Sequence, residues 1–363
     1  MSTHILMEGY YGKSNFGDDV LMCVTYHLLR SAIANTRISI VIGDTQHDYP
    51  GTMLEGIEIE RPNRHAHYDL IVHGGGGVFF DFNYYGRVRR SIETLARIIG
   101  FNNVVRLERI LRTLSGLHRV TSTRRIGLGI GVGTFTHGSP RMLRSLPILA
   151  EYNALWLRDD ESTTNLKRFA GLLRAELLQG SDLAFFNEVW TPPPTEKTPR
   201  NKPKLGIALR DWVDMDYTHI SNQLTELAQH YALTGFIFDA QHDMVMRQIL
   251  APYPTNIWQP ETMSIHEFAA KIATQDGLIT SRAHGAICSA CLGVPSTIIN
   301  IEPKMQQVHS MLPNSTQLID MRQPWVQATT NMLATPQAHI AEDVARNRAF
   351  SQEAWSQIKR WLT

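Results

Sequence analysis

Short apolar runs alternate along the chain with stretches whose apolar residues recur at helical spacing, and this alternation predicts βαβ units and a mostly parallel sheet. His4–Met7, Ile38–Ile42, Asp69–His73, Arg125–Ile130 and Ala154–Leu157 read as strands. A helix from Asp18 places Val20, Leu21, Val24 and Leu28 on one face, a second contains Met142 to Leu149, and a third starts near Asp160 with an acidic cap. The rhythm breaks at Trp190–Pro203, where five prolines exclude a regular helix and favour a stiff, extended connection. It then restarts. Lys204–Leu209, Gly235–Phe238, Gly277–Thr280 and Ser296–Ile301 read as strands, and helices pass through Leu224 and Leu227, Ala286–Leu292 and Ile340–Leu362. Ser264 and Glu267 have the spacing of a capping box and open a helix ending near Gln275.

The expected fold class is therefore α/β, with two Rossmann-like domains facing a central cleft. Residues 1–190 form the N-terminal domain, 191–203 the proline-rich linker, 204–338 the C-terminal domain, and 339–363 a final helix packing back across the linker. A length of 363 residues fits two domains, each large enough to bury a core without disulfides or metal. Apolar content of 43% and charged content of 19% describe a globular chain. A formal charge of +1 gives no basis for nucleic-acid binding.

Cys288 and Cys291 form a lone Cys-x-x-Cys with no second ligand pair, so they read as small core residues, and no metal site is expected. The N-terminus has neither the basic region nor the long apolar core of a signal peptide, and no window reaches the ~20 apolar residues of a membrane span. The expected location is cytoplasmic. Between Arg87 and Arg125 ten arginines face two glutamates. That segment reads as a solvated basic face, or as a peripheral contact with the anionic inner face of a membrane.

Ligands of open α/β sheets sit beyond the carboxyl ends of the strands, so the loops there are the candidates. In Gly9-Tyr-Tyr-Gly-Lys-Ser-Asn-Phe-Gly-Asp-Asp19, glycines permit close backbone approach and a helix start follows. Asp18 and Asp19 are either dipole-stabilised caps, or Asp18 faces the cleft as a general base. In Asp69-Leu-Ile-Val-His-Gly-Gly-Gly-Gly77, four glycines directly after a strand favour amides lining a cleft over a tight packing turn. Arg158 ends a strand beside carboxylates, and an internal ion pair is its default reading. Arg210 leaves the first strand of the second half, where its planar fork can hold a carboxylate or phosphate, with Asp211 as a structural competitor.

The most informative loop is Gly277-Leu-Ile-Thr-Ser-Arg-Ala-His-Gly-Ala286. Ser281, Arg282 and His284 join a hydroxyl, a guanidinium, an imidazole and helix-start amides within about one turn of chain. A phosphate ester needs this composition, together with a titratable proton donor. Lys304 follows the next strand and adds a point charge.

In these residues the chain resembles the polysaccharide pyruvyl transferases. The resemblance rests on the ordered set Gly-Tyr-Tyr-Gly-x-x-Asn-x-Gly-Asp-Asp, the glycine run, Arg158-Asp-x-x-Ser162, the strand ending at Arg210, Ser281-Arg-x-His-Gly285, and Gly293-Val-Pro with Glu302-Pro-Lys304. Together they span roughly residues 9 to 304. Ala283 departs from the larger aliphatic residue usual there, which bears on pocket shape and acceptor choice. The resemblance implies a GT-B-like architecture and transfer of pyruvate from phosphoenolpyruvate, a co-substrate, as a ketal across two hydroxyls of a saccharide. That saccharide is free, polymeric or lipid-linked, and no metal or other cofactor takes part. It further implies catalytic roles for His284, Arg282 and Arg210, and donor contacts from Ser281, Gly285 and Lys304. Asn15, Gly17, Asp18, Gly75, Gly76, Gly77 and Arg158 fall to the acceptor side or the cleft lining. The rival readings are a nucleotide-sugar glycosyltransferase of the same architecture and a non-catalytic phosphosugar-binding module.

Overall fold

The alternation resolves into two parallel sheets. The computed structural model describes residues 3–42, 47–61, 66–79, 103, 120–133, 135, 140–193, 201–213 and 215–362. The proline-rich stretch 194–200 and nearly all of the arginine-rich segment lie outside the described residues.

The first sheet contains β1 (Thr3–Glu8), β2 (Thr36–Val41), β3 (Ile57–Glu60), β4 (His67–Phe79), β5 (Thr121–Val132), β6 (Ala154–Leu157) and β7 (Glu176–Gln179), in the order β3-β2-β1-β4-β5-β6-β7. The second contains β8 (Lys204–Ala208), β9 (Ala232–Ile237), β10 (Thr255–Ile257), β11 (Gly277–Thr280), β12 (Ser296–Ile299) and β13 (Thr316–Ile319), in the order β10-β9-β8-β11-β12-β13. Among the described residues, every pairing between these strands is parallel. In both sheets the chain runs outward through three strands, then returns beside the first of them. That reversal creates a topological switch point, between β1 and β4 in one sheet and between β8 and β11 in the other. The central strands β6, β11 and β12 are buried at every position, as a sheet covered on both faces requires.

By contact, the chain divides into one unit of Met1–Tyr11, Thr25–Leu183 and Phe350–Thr363, and a second of Gly12–Val24 and Ala184–Ala349. The division is not a single cut at the prolines. The loop and first turns of the helix Phe16–Ala32 belong with the second sheet, and the helix Gln337–Ile358 is shared between the units.

An aromatic cluster explains the first of these assignments. Phe16 packs edge-on to Phe238 at 5.1 Å and Trp258 at 5.2 Å, and tilted against Phe268 at 4.7 Å. Each such pair contributes about 0.5–1.5 kcal/mol beyond its buried area. The Trp258 indole N–H donates to the fully buried carboxylate of Asp19 at 2.7 Å, which ties the helix start to the same core.

Candidate active site in the second unit

The exits of β8 and β11, which flank the switch point of the second sheet, are locked together by short polar contacts. The buried Ser281 hydroxyl accepts the backbone N–H of Arg210 at 3.0 Å. Thr280, at the end of β11, donates its hydroxyl to the Ala208 carbonyl at 2.9 Å and accepts the Arg282 N–H at 3.0 Å. This fixes Arg282 in extended backbone (φ −114, ψ 131) as the cap residue of the helix Ala283–Cys291. A Cβ on Gly285 would stand 2.2 Å from the Thr280 hydroxyl, so that glycine lets the helix close onto the strand. Cys288 lies buried in the same helix and Cys291 is half-buried near its end.

The loop before Phe16–Ala32 meets this exit. Asn15 caps the helix, its side-chain oxygen accepting the Gly17 N–H at 3.1 Å, and the helix starts at Phe16 instead of Asp18. The cap oxygen also reaches the Asp18 N–H, at 3.5 Å. With Asn15 as cap, Asp18 and Asp19 part company: Asp19 is held by Trp258, while Asp18 faces the charged exits. A Cβ on Gly17 would lie 2.3 Å from His284 Nδ1 and 2.6 Å from its Cβ. Gly17 is therefore the surface against which the His284 ring rests.

Charge in the site is nearly balanced. The Arg282 guanidinium pairs with Asp243, both side chains being almost wholly buried, and lies over the Phe238 ring at 6.0 Å. Arg210 is partly exposed; it pairs with Glu302 at 3.4 Å and stacks on Trp212 with its guanidinium carbon 4.3 Å from the ring centre. Asp211 does not compete for Arg210. Its carboxylate accepts the Val245 and Met246 N–H groups at 2.8 and 2.9 Å and pins the start of the helix Met244–Ile249. Burial, then the neighbouring Arg282, lowers the Arg210 guanidinium from its ordinary range. Lys304 stands in the first turn of the helix Pro303–Met311, within electrostatic reach of Asp18.

Asp18 is the focus of these charges. Desolvation pushes its carboxyl above the usual carboxylate range and Asp239 adds to the rise, while His284, Lys304 and Arg282 oppose it. A carboxyl so raised stabilises the fold below its unfolded pKa, and that contribution is lost as pH climbs through the folded value. Asp18→Asn is therefore expected to raise the thermal midpoint at pH 7, by roughly 2–4 °C per kcal/mol recovered. The gain should shrink as pH falls toward about 4 and vanish below about pH 3, where both states are protonated. Calorimetric scans across pH check this, and a midpoint lowered at pH 7 would contradict it.

Other residues singled out in the sequence belong to the first unit. Gly75, Gly76 and Gly77 stand within β4, and Gly76 and Gly77 pair with Ile130 and Gly131. The run therefore continues the strand instead of turning after it. Gly75 and Gly76 adopt φ of 62° and 94°, which side chains rarely tolerate. Arg158 is buried in the first unit against Asp159 at 3.1 Å and Asp182 at 3.8 Å, as its internal-pair reading expects. Arg125, last of the arginine-rich segment, is buried and pairs with Glu8 at 3.2 Å, which removes it from any membrane-facing surface. No described helix is long and apolar enough to cross a membrane. No group of His, Cys, Asp and Glu among the described residues is arranged to hold a metal ion.

Three residues at the exit of β9 were not singled out in the sequence: Asp239, His242 and Asp243. Their signal was available, because they follow a recognised strand at its carboxyl end, where Arg210 and His284 were found.

The model of the polysaccharide pyruvyl transferase family matches residues 15–303. No curated protein sequence matches the chain. Among solved structures, S. aureus MnaA with UDP is similar at TM-score 0.58 and 10% identity, covering 99% of this chain and 95% of that one. A Listeria monocytogenes protein described as a putative UDP-N-acetylglucosamine 2-epimerase gives TM-score 0.57, 11% identity and coverage of 99% and 95%. The glycosyltransferase of kitacinnamycin gives TM-score 0.54, 11% identity and coverage of 100% and 99%. At such identities the likeness concerns the fold alone, two parallel-sheet α/β domains of the GT-B kind.

Proposed function

The chain belongs to the polysaccharide pyruvyl transferase family, and from that premise we propose that it moves the pyruvyl group of phosphoenolpyruvate onto two hydroxyls of a saccharide, forming a ketal and releasing phosphate. The observation that carries this reading is the gathering of Arg210, Arg282, His284 and Lys304 with Asp18 around the switch point of the second sheet. Phosphoenolpyruvate brings a carboxylate and a phosphate, and compact anions of this kind suit guanidinium forks and helix-start amides.

Arg210 is the cation best placed to exchange partners. Its ion pair with Glu302 is open to solvent on one side, whereas Arg282 is held by Asp243. In this reading Arg210 and Lys304 take the donor's charges, and Arg282 fixes the electrostatic floor of the site. His284, as imidazolium, gives its proton to the methylene carbon of phosphoenolpyruvate. The first saccharide hydroxyl attacks the adjacent carbon and loses its proton to Asp18, whose carboxyl burial raises above the usual carboxylate range and so makes a stronger base than an ordinary aspartate. The second hydroxyl then bonds to that carbon and gives its proton to a second base, while the carbon–oxygen bond to phosphate breaks and phosphate leaves with the electron pair.

The assay is release of inorganic phosphate from phosphoenolpyruvate in the presence of a panel of saccharide acceptors. Acceptor-dependent release with gain of a pyruvate ketal is the expected result. Release of UDP from UDP-sugars, with no turnover of phosphoenolpyruvate, would replace this reading by its glycosyltransferase rival.

A further inference from the structure

The exit of β9 carries a dyad that the chemistry above does not use. Asp239 is buried, with a side chain 5% exposed, whereas the His242 side chain beside it is 60% exposed. His242 Nδ1 lies 3.0 Å from both Asp239 carboxylate oxygens, and the His242 backbone N–H donates to one of them at 3.1 Å. The Asp239 carbonyl accepts the Asp243 N–H at 3.0 Å, so the turn is held by its backbone as well. On its other side Asp239 accepts from the Asn15 side chain at 3.3 Å, and Asn15 and Asp239 form an isolated antiparallel bridge. The dyad thus adjoins the loop that carries Asp18. Asp239 interacts electrostatically with Asp18, Arg210 and Asp243.

A carboxylate bound to Nδ1 keeps the proton on that nitrogen and leaves the Nε2 lone pair facing outward. This is the division of labour by which a buried acid orients an imidazole base. Met244 and Val245, which follow His242 in the chain, are 63% and 37% exposed, and the Asp211 carboxylate holds that turn by accepting the Val245 and Met246 N–H groups. A sugar ring presents C–H groups and hydroxyls together, so exposed apolar side chains near a proton acceptor in the chain are compatible with it.

Ketal formation removes a proton from each of two hydroxyls, and the proposed function names the base for one of them. We propose that His242, oriented by Asp239, is the second base. Nε2 takes the proton of the hydroxyl that forms the second carbon–oxygen bond as the bond to phosphate breaks. His242 is then a catalytic residue and Asp239 a positioning residue. This inference rests on the pyruvyl-transfer reading and extends it to the acceptor.

The test is a single-turnover reaction of the full chain with phosphoenolpyruvate and an active acceptor, followed by phosphorus NMR. His242→Ala and His242→Gln, changes at an exposed side chain, should still consume phosphoenolpyruvate. Phosphate release should slow by about 10²-fold or more, and a phosphorylated acceptor adduct should accumulate. Asp239→Asn should slow the same step and shift the nitrogen-15 signals of the His242 ring toward the other tautomer, which a merely structural aspartate would not do. Phosphate release within about twofold of wild type in both His242 variants would overturn the proposal, as would loss of phosphoenolpyruvate consumption with no adduct. A wild-type protein that consumes no phosphoenolpyruvate fails earlier and overturns the pyruvyl-transfer reading itself.

Discussion

His284→Ala is expected to reduce acceptor-dependent phosphate release by about 10²–10⁴-fold, the usual contribution of a positioned general acid, while the fold and phosphoenolpyruvate binding persist. The ring is 9% exposed in the first turn of the helix Ala283–Cys291, and it rests on Gly17, where no side chain could fit beneath it. The Thr280 hydroxyl, which accepts the Arg282 N–H, holds the helix start and is untouched by this substitution. The substitution also removes a neighbour that draws the Asp18 carboxyl downward, so Asp18 should rise further and serve less well as a base. Two steps of the proposed chemistry therefore suffer from one substitution. Circular dichroism, calorimetry of donor binding and the phosphate assay separate these effects. Turnover near that of wild type would rule out the role given to His284.

Asp243→Ala should cost about 3–5 kcal/mol of stability, because it strands a buried guanidinium. Asp243 is 1% exposed and its partner Arg282 10% exposed, so neither charge can fall back on water. Burial pushes the Asp243 carboxyl up and Arg282 draws it back, which marks the pair as mutually dependent. The Asp211 N–H, which donates to Asp243 at 3.2 Å, loses its acceptor in the same variant. The expected fall in thermal midpoint is roughly 2–4 °C per kcal/mol. An apolar pair at both positions, Asp243→Leu with Arg282→Met, should restore much of the stability and none of the activity, since burying two matched apolar groups removes the desolvation cost. A midpoint unchanged in Asp243→Ala would contradict the pairing.

The interior of the fold was legible and its margins were not. Strands buried on both faces are rich in apolar residues, as Ala-Leu-Trp-Leu of β6, Leu278-Ile279 of β11 and Ile298-Ile299 of β12 show. The strands that escaped notice are β3, β7, β10 and β13, which form the two edges of each sheet. Their sequences, Ile-Glu-Ile-Glu, Glu-Leu-Leu-Gln, Thr-Asn-Ile and Thr-Gln-Leu-Ile, are short and mixed because an edge strand is partly open to water. The glycine run reads in the sequence as lying after the strand, with amides lining a cleft, whereas in the structure β4 continues through it: a Cβ on Gly74 would strike the Thr25 and Tyr11 hydroxyls at 2.3 Å.

For the candidate site, the strand-exit rule points to Arg210, Ser281, Arg282 and His284, which the structure places at the exits of β8 and β11. It could not reveal that Asn15 and Asp18 group with the second sheet, because that depends on Phe16 entering an aromatic cluster built from residues more than two hundred positions away. Nor could it apportion the counter-charges. Arg282 pairs with Asp243 and Arg210 with Glu302, partners that only the sheet order brings together.

Isothermal titration of the protein with phosphoenolpyruvate, set beside UDP and UDP-N-acetylglucosamine, addresses the central claim directly, that the exits of β8 and β11 form a site for a small dianionic enol ester. Saturable one-to-one binding of phosphoenolpyruvate, weakened in Arg210→Ala and indifferent to the uridine compounds, is the predicted result. Binding of UDP with no heat from phosphoenolpyruvate would contradict it.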